Sequence, residues 1–229
     1  MYKRLLSILV IALLLSGTAT AQLRLRHPEM YIGVHGGIMA STVTFTPTVP
    51  NMTPITDGCI LGGNGGLVFR YSEQRCCAVQ LELNYMQRGW REKADEGSFT
   101  RTLHYLELPF LMHIYFGSQT WRGFVNVGPQ IGYCLKDDGG IGTKQTTEVH
   151  QYATLDHPFD WGIAGGVGAY CRTKKAGLYQ LEVRFNYSFG TLFANKSTDY
   201  FSQSNPMCLS LNLAWMWEIK NIKPKTIRK

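Results

Sequence analysis

Charged residues set in otherwise apolar surroundings are the first places to look for chemistry, and six stand out: Arg70, Glu82, Glu107, Glu182, Arg184 and Glu218. Carboxylates beside guanidinium groups can do acid–base work, but they also form buried ion networks, where each charge must find a partner. Glu182 and Arg184 sit two apart in a stretch of alternating apolar and polar residues, so they share one strand face. The reading is therefore a structural polar network. The histidines His27, His35, His104, His113, His150 and His157 contain no HExxH pair, and there is no GxSxG elbow or P-loop. Gly62-Gly-Asn-Gly-Gly66 is followed by no helical pattern, so it is not a phosphate cradle. Cys59, Cys76, Cys77, Cys134, Cys171 and Cys208 show neither a CxxC pair nor zinc spacing; they read as mostly free, packed thiols, with one disulfide left open. No metal, cofactor or catalytic constellation is spelled out, and the chain reads as a non-enzyme. His104 is the one hint of nucleophilic chemistry, which would need a Ser or His with a carboxylate at an outer rim.

The elements that must hold these residues are strands. In Leu178 to Phe189, Tyr179, Leu181, Val183, Phe185 and Tyr187 alternate with Gln180, Glu182, Arg184, Asn186 and Ser188. The same design recurs over 207–219 and in Cys77 to Tyr85, and a helix of period 3.6 would scatter each set around its circumference. Further candidates lie near 31–43, 60–71, 103–116, 122–135 and 159–172, which makes eight. Small residues collect on one face, as with Gly62, Gly66, Gly128 and Gly132, or Gly162, Ala164, Gly166 and Gly168. Glycine weakens a strand, so this repetition implies crowding inside a narrow barrel.

The connections sort by length. Ser72–Arg75, Gly117–Thr120 and Thr173–Gly177 are short; about 44–58, 87–102, 136–158 and 190–206 are long and polar; and the two kinds alternate. Outer-membrane barrels have this asymmetry, with short periplasmic turns and long outer loops. The start of the chain agrees. Lys3 and Arg4 precede an apolar run, Leu5 to Leu15, and Ala19-Thr20-Ala21 ends it, so residues 1–21 read as a signal peptide. Removing it leaves 208 of the 229 residues, and the net charge falls from +7 to +5 with the loss of Lys3 and Arg4. That scattered charge does not suit a nucleic-acid binder. No later apolar run approaches the roughly 18 residues of a membrane helix. The expected plan is a short periplasmic segment at 22–30, a barrel over 31–219, and a basic periplasmic tail at 220–229.

Turned with its apolar side toward lipid, such a barrel puts aromatic residues at both membrane surfaces. Trp215, Trp217, Trp121, Tyr31 and Tyr71 are expected at the inner girdle, and Tyr85, Trp90 and Tyr133 at the outer one. The six charged residues then point into a lumen just wide enough for side chains to fill. Pro109 lies inside a strand, where it removes a ladder donor and calls for a bulge or bend.

Several stretches resemble the PorT-like family of outer-membrane β-barrel proteins. These are Tyr31-Ile-Gly-Val-His-Gly-Gly, Tyr105-Leu-Glu-Leu-Pro-Phe-Leu, Gly128-Pro-Gln-Ile-Gly-Tyr133, Gly162-Ile-Ala-Gly-Gly-Val-Gly168 and Leu181-Glu-Val-Arg-Phe-Asn-Tyr187. The resemblance implies an eight-stranded antiparallel up-and-down transmembrane barrel with periplasmic termini. It also suggests a link to protein secretion, which fold alone does not carry. The expected location is the bacterial outer membrane and the expected role is structural or interactive. Lipid is the surrounding partner, and a protein partner is expected at the outer loops, 136–158 above all, or on the periplasmic side. Two other readings remain: a barrel enzyme acting on lipids or peptides at the membrane, and a soluble periplasmic barrel of lipocalin type.

Overall fold

Backbone groups in hydrocarbon have no water to bond, so a sheet that crosses a bilayer must close on itself. The computed structural model shows that closure. It describes residues 24–47, 58–74, 76–94, 97–118, 120–141, 157–173, 176–192 and 201–219. Eight strands are present: β1 (Arg24–Pro47), β2 (Ile60–Gln74), β3 (Cys77–Ala94), β4 (Gly97–Gly117), β5 (Trp121–Ile141), β6 (Phe159–Thr173), β7 (Gly177–Ser188) and β8 (Phe201–Ile219). Each pairs antiparallel with its neighbour in sequence, and β1 also pairs with β8, giving a closed eight-stranded up-and-down barrel. The seam between β1 and β8 runs from Met30↔Ile219 to Pro47↔Phe201 with one irregularity, at its far end. The described residues contain no helix.

The two faces point as the alternation requires. On β7, Leu181 is 52% exposed and Glu182 only 2%. Phe185, Leu211 and Trp215 likewise face out, while Arg184 is buried. A soluble lipocalin-like barrel would have the reverse polarity, so that alternative is excluded. The inward small residues are needed where strands meet closely. A Cβ on Gly168 would lie 2.1 Å from the Leu181 carbonyl oxygen, and one on Gly128 would lie 2.0 Å from that of Phe110. At the short turns, Gly117 (φ 122°) and Gly177 (φ 88°) adopt a backbone that other residues rarely tolerate.

The strands run further than alternation suggests. Residues 87–102, expected as a loop, are mostly ladder: β3 and β4 stay paired from Gln87↔His104 to Ala94↔Gly97. A bilayer needs only about 9–11 tilted residues per strand, so this hairpin rises well beyond it. Its outward positions, such as Gln87 and Arg91, are polar because they meet water, which ends the apolar signal while the hydrogen bonding continues. β1 begins at Arg24, so pairing also reaches into the expected N-terminal segment 22–30, and β5 runs on to Ile141. The residues expected as a signal peptide, 1–21, and as a basic tail, 220–229, lie outside the described residues, as does most of the loop 136–158.

The girdle is partly different from expectation. Trp121, Trp215, Trp217, Tyr85 and Tyr133 face outward. Tyr31 (4% exposed) and Trp90 (0%) point into the lumen, because each shares the parity of an inward series on its strand. All six cysteines are free, so no disulfide forms.

Candidate functional site

The lumen is the densest concentration of polar groups in the molecule, and it is built in tiers. At the periplasmic end, Arg172 donates to Glu29 (2.9 Å) and to Glu218 (2.8 Å), while the Tyr31 hydroxyl donates to the second Glu29 oxygen at 3.0 Å. Glu218 is on the inward face by parity but stands at the strand's end, with its side chain 44% exposed, so it belongs to the rim and not to the packed interior.

Above the rim lies an aromatic tier of Tyr31, Tyr115, Phe124 and Tyr170, completed by Val68, Leu178 and Met216. His113 is buried among these rings, 4.7 Å from Phe124 between centroids. Its Nδ1 bonds the Asn126 side-chain oxygen at 2.6 Å; an amide oxygen only accepts, so Nδ1 carries the proton.

The middle tier gathers four of the sequence-identified charges. Arg184 lies between two carboxylates: its Nη2 donates to Glu82 at 2.7 Å and to Glu182 at 2.8 Å, and its Nε donates to Glu182 at 3.0 Å. Asn84 and Asn126 donate to the same two carboxylates at 2.9 Å each. Arg70 donates to Gln80 at 2.8 Å and also bonds Gln180. Two guanidinium groups thus face two carboxylates, and this tier is neutral. His35 reaches Asn84 at 2.6 Å, close beneath Glu82. The gap left among these side chains is about 10 Å³, barely the room one water needs. There is no open passage at this level.

Glu107 lies one tier further out. It pairs with Arg88, which also donates to Asp160 at 3.1 Å. Ser188 donates to Asp160 at 2.6 Å, Asn186 donates to Gln130 at 2.6 Å, and the Arg88 guanidinium stacks over Tyr105. Near the outer mouth, Val43, Trp90, Leu103 and Leu192 close the lumen, with Arg101 over the Trp90 ring and paired to Asp137. The structure therefore joins Glu82, Glu182 and Arg184 directly, links Arg70 to them through Gln80 and Gln180, places Glu107 in a neighbouring network, and leaves Glu218 apart.

Arg88 and Asp160 were absent from the sequence-level set although they carry the outer network. Their signal was parity: Gln80, Glu82, Asn84, Met86 and Arg88 fall on one face of β3, as Asp160, Gly162 and Ala164 do on β6. Among the described residues, no group of three or more His, Cys, Asp and Glu side chains comes together to hold a metal.

The sequence pattern of the outer membrane protein beta-barrel domain family matches residues 21–194. Among solved structures, OprG from Pseudomonas aeruginosa is 12% identical, with 82% of this chain and 96% of that one covered and a TM-score of 0.49. Outer membrane protein W of E. coli is 18% identical, covering 82% and 96% at a TM-score of 0.40. The outer membrane enzyme PagL is 11% identical, covering 79% and 98% at 0.41. No curated protein matches the chain.

Proposed function

Because the chain belongs to the outer membrane protein beta-barrel domain family, and so resides in the bacterial outer membrane, we propose that it is a closed, non-conducting barrel that acts through its surfaces. The observation that carries this reading is the filled lumen. Arg184 between Glu82 and Glu182, and Arg88 between Glu107 and Asp160, block the axis at two successive levels. A conducting barrel would have to break these ion pairs in a dry interior, which is strongly unfavourable.

The surface best suited to engage a partner is the β3–β4 hairpin, whose ladder continues to Ala94↔Gly97 and which presents Arg91 to solvent. A hydrogen-bonded two-stranded arm offers a contact surface whose backbone is already paired, which lowers the entropic cost of binding. The strand motifs quoted above support a PorT-like assignment within the family; a part in protein secretion follows from that resemblance alone.

Two measurements test the reading. The purified chain inserted in a planar bilayer should give no unitary conductance; a steady ohmic current would refute the plug. A photo-crosslinker at Arg91 in living cells should capture a discrete protein partner, whereas recovery of lipid adducts alone would remove the interaction role.

A further inference from the structure

On the outside wall, just above the apolar band, three adjacent strands bring Tyr85, His104 and Asp138 into one hydrogen-bonded line. Tyr85 closes the outward series Val79, Leu81, Leu83 on β3, and His104 is the next outward residue beyond Leu106 and Leu108 on β4. Register places them together, since His104 pairs with Gln87 on one side and Lys136 on the other. A register shift between Arg101 and Leu103 falls at the two aspartates near the end of β5, where Asp137 pairs with Leu103 and Asp138 follows it on the opposite face. Asp137 bonds the inward Arg101, and Asp138 reaches His104 on the outside.

The Tyr85 hydroxyl lies 2.6 Å from His104 Nδ1, and His104 Nε2 lies 2.7 Å from an Asp138 carboxylate oxygen. A carboxylate only accepts, so Nε2 carries the ring proton and Nδ1 presents its lone pair to the Tyr85 O–H. Lys136 bonds the other Asp138 oxygen. An interfacial tyrosine ordinarily turns its hydroxyl to headgroup water. Here the hydroxyl is committed to a base that a carboxylate orients, the order found in activated nucleophiles.

We propose that Tyr85, His104 and Asp138 form an acyl-transfer site facing the outer leaflet, whose substrate is the ester of a membrane lipid. The substrate class follows from position: the site lies where hydrocarbon gives way to headgroups, with Leu83 and Leu106 below it and the exposed Lys136 ammonium beside it for an anionic headgroup. The inference rests on the embedded-barrel reading above. In the first step Tyr85 Oη bonds the ester carbonyl carbon and its proton passes to His104 Nδ1. The carbon–oxygen bond to the alcohol breaks, and that oxygen leaves with the proton from His104. Water then attacks the acyl-Tyr85 carbon, gives a proton to His104 Nδ1, and Tyr85 leaves and recovers it. One ester and one water become one carboxylic acid and one alcohol.

The test uses the full chain refolded into phospholipid vesicles that contain a phospholipid with a fluorescent ester-linked acyl chain. In parallel, a fluorophosphonate probe is followed by peptide mass. Fatty acid should be released, and release should fall roughly 100-fold or more in Tyr85→Phe and in His104→Ala, the size of a lost nucleophile or general base. The probe should mark the Tyr85 peptide in the wild type and not in Tyr85→Phe. Both variants lie on the surface, so a heat-modifiable gel band confirms that they fold. Release or labelling unchanged in Tyr85→Phe, or neither seen from a folded wild-type band, overturns the site. Failure of the wild type to give that band in vesicles overturns the embedded barrel beneath it.

Discussion

Arg184→Met tests whether the lumen is held by its ions. The native guanidinium makes four hydrogen bonds, two to Glu82 and two to Glu182, all buried. Adding them at about 1.5–3 kcal/mol each would give roughly 6–12 kcal/mol, but such terms are not additive. The better guide is the cost of orphaning a buried ion partner, about 3–5 kcal/mol, since Met fills much of the volume and leaves two carboxylates facing each other. At a urea slope of about 2 kcal/mol/M, a loss near 4 kcal/mol moves the unfolding midpoint down by roughly 2 M. The assay is equilibrium urea unfolding in vesicles, read by tryptophan fluorescence and by heat-modifiable migration. Combining Arg184→Met with Glu82→Gln and Glu182→Gln should restore most of the loss, because neutral amides can bond one another. A single variant within 1 kcal/mol of wild type, or a triple variant no better than the single, would refute the reasoning.

Four further outcomes follow from the geometry. Gly168→Val drives a side chain against the Leu181 carbonyl and the Phe124 ring and should cost about 1–3 kcal/mol in the same titration. Gly36→Ala, whose Cβ would meet only the Asn64 oxygen at 3.8 Å, should change stability by less than about 0.5 kcal/mol. On the lipid face, Leu211→Arg should cost about 2–4 kcal/mol and Ile219→Arg, at the band's edge, about 0–1 kcal/mol; equal costs would contradict the assigned membrane depth. A bulky maleimide should modify Cys59 in the folded barrel and leave Cys208 untouched until urea unfolds it, with the two sites distinguished by peptide mapping.

Much of the architecture was legible because a period of two survives wherever one face meets lipid and the other meets side chains. Leu178–Phe189 could be oriented residue by residue on that ground, and its Glu182 and Arg184 are found inside. Legibility ended where the outside environment changes. Beyond Tyr85 the outward positions of β3 meet water, so Gln87 and Arg91 hide a ladder that continues to Ala94. Aromatic rings misled for a related reason. Tyr31 and Trp90 suit an interface by type, but their parity places them inside, where they pack near the two ends of the ion tiers. Glu218 obeyed parity and still missed the network, because face alone says nothing about height along the axis. His104 stood out in the sequence, but its alignment with Tyr85 and Asp138 did not, since it depends on the pairing register of β3, β4 and β5, which local pattern does not encode.

The join between the first and last strands has a consequence for how the molecule is made. Nearly the whole chain separates Met30 from Ile219, so the contact order of this pairing is extreme and its loop-closure entropy is spent before any bond rewards it. A nascent chain lacking β8 would present two bare ribbons of amides to hydrocarbon, a state the membrane does not tolerate. Assembly should therefore be all-or-none with respect to the C-terminal strand. Truncation before Phe201 should yield no inserted intermediate, only aggregate or degraded polypeptide.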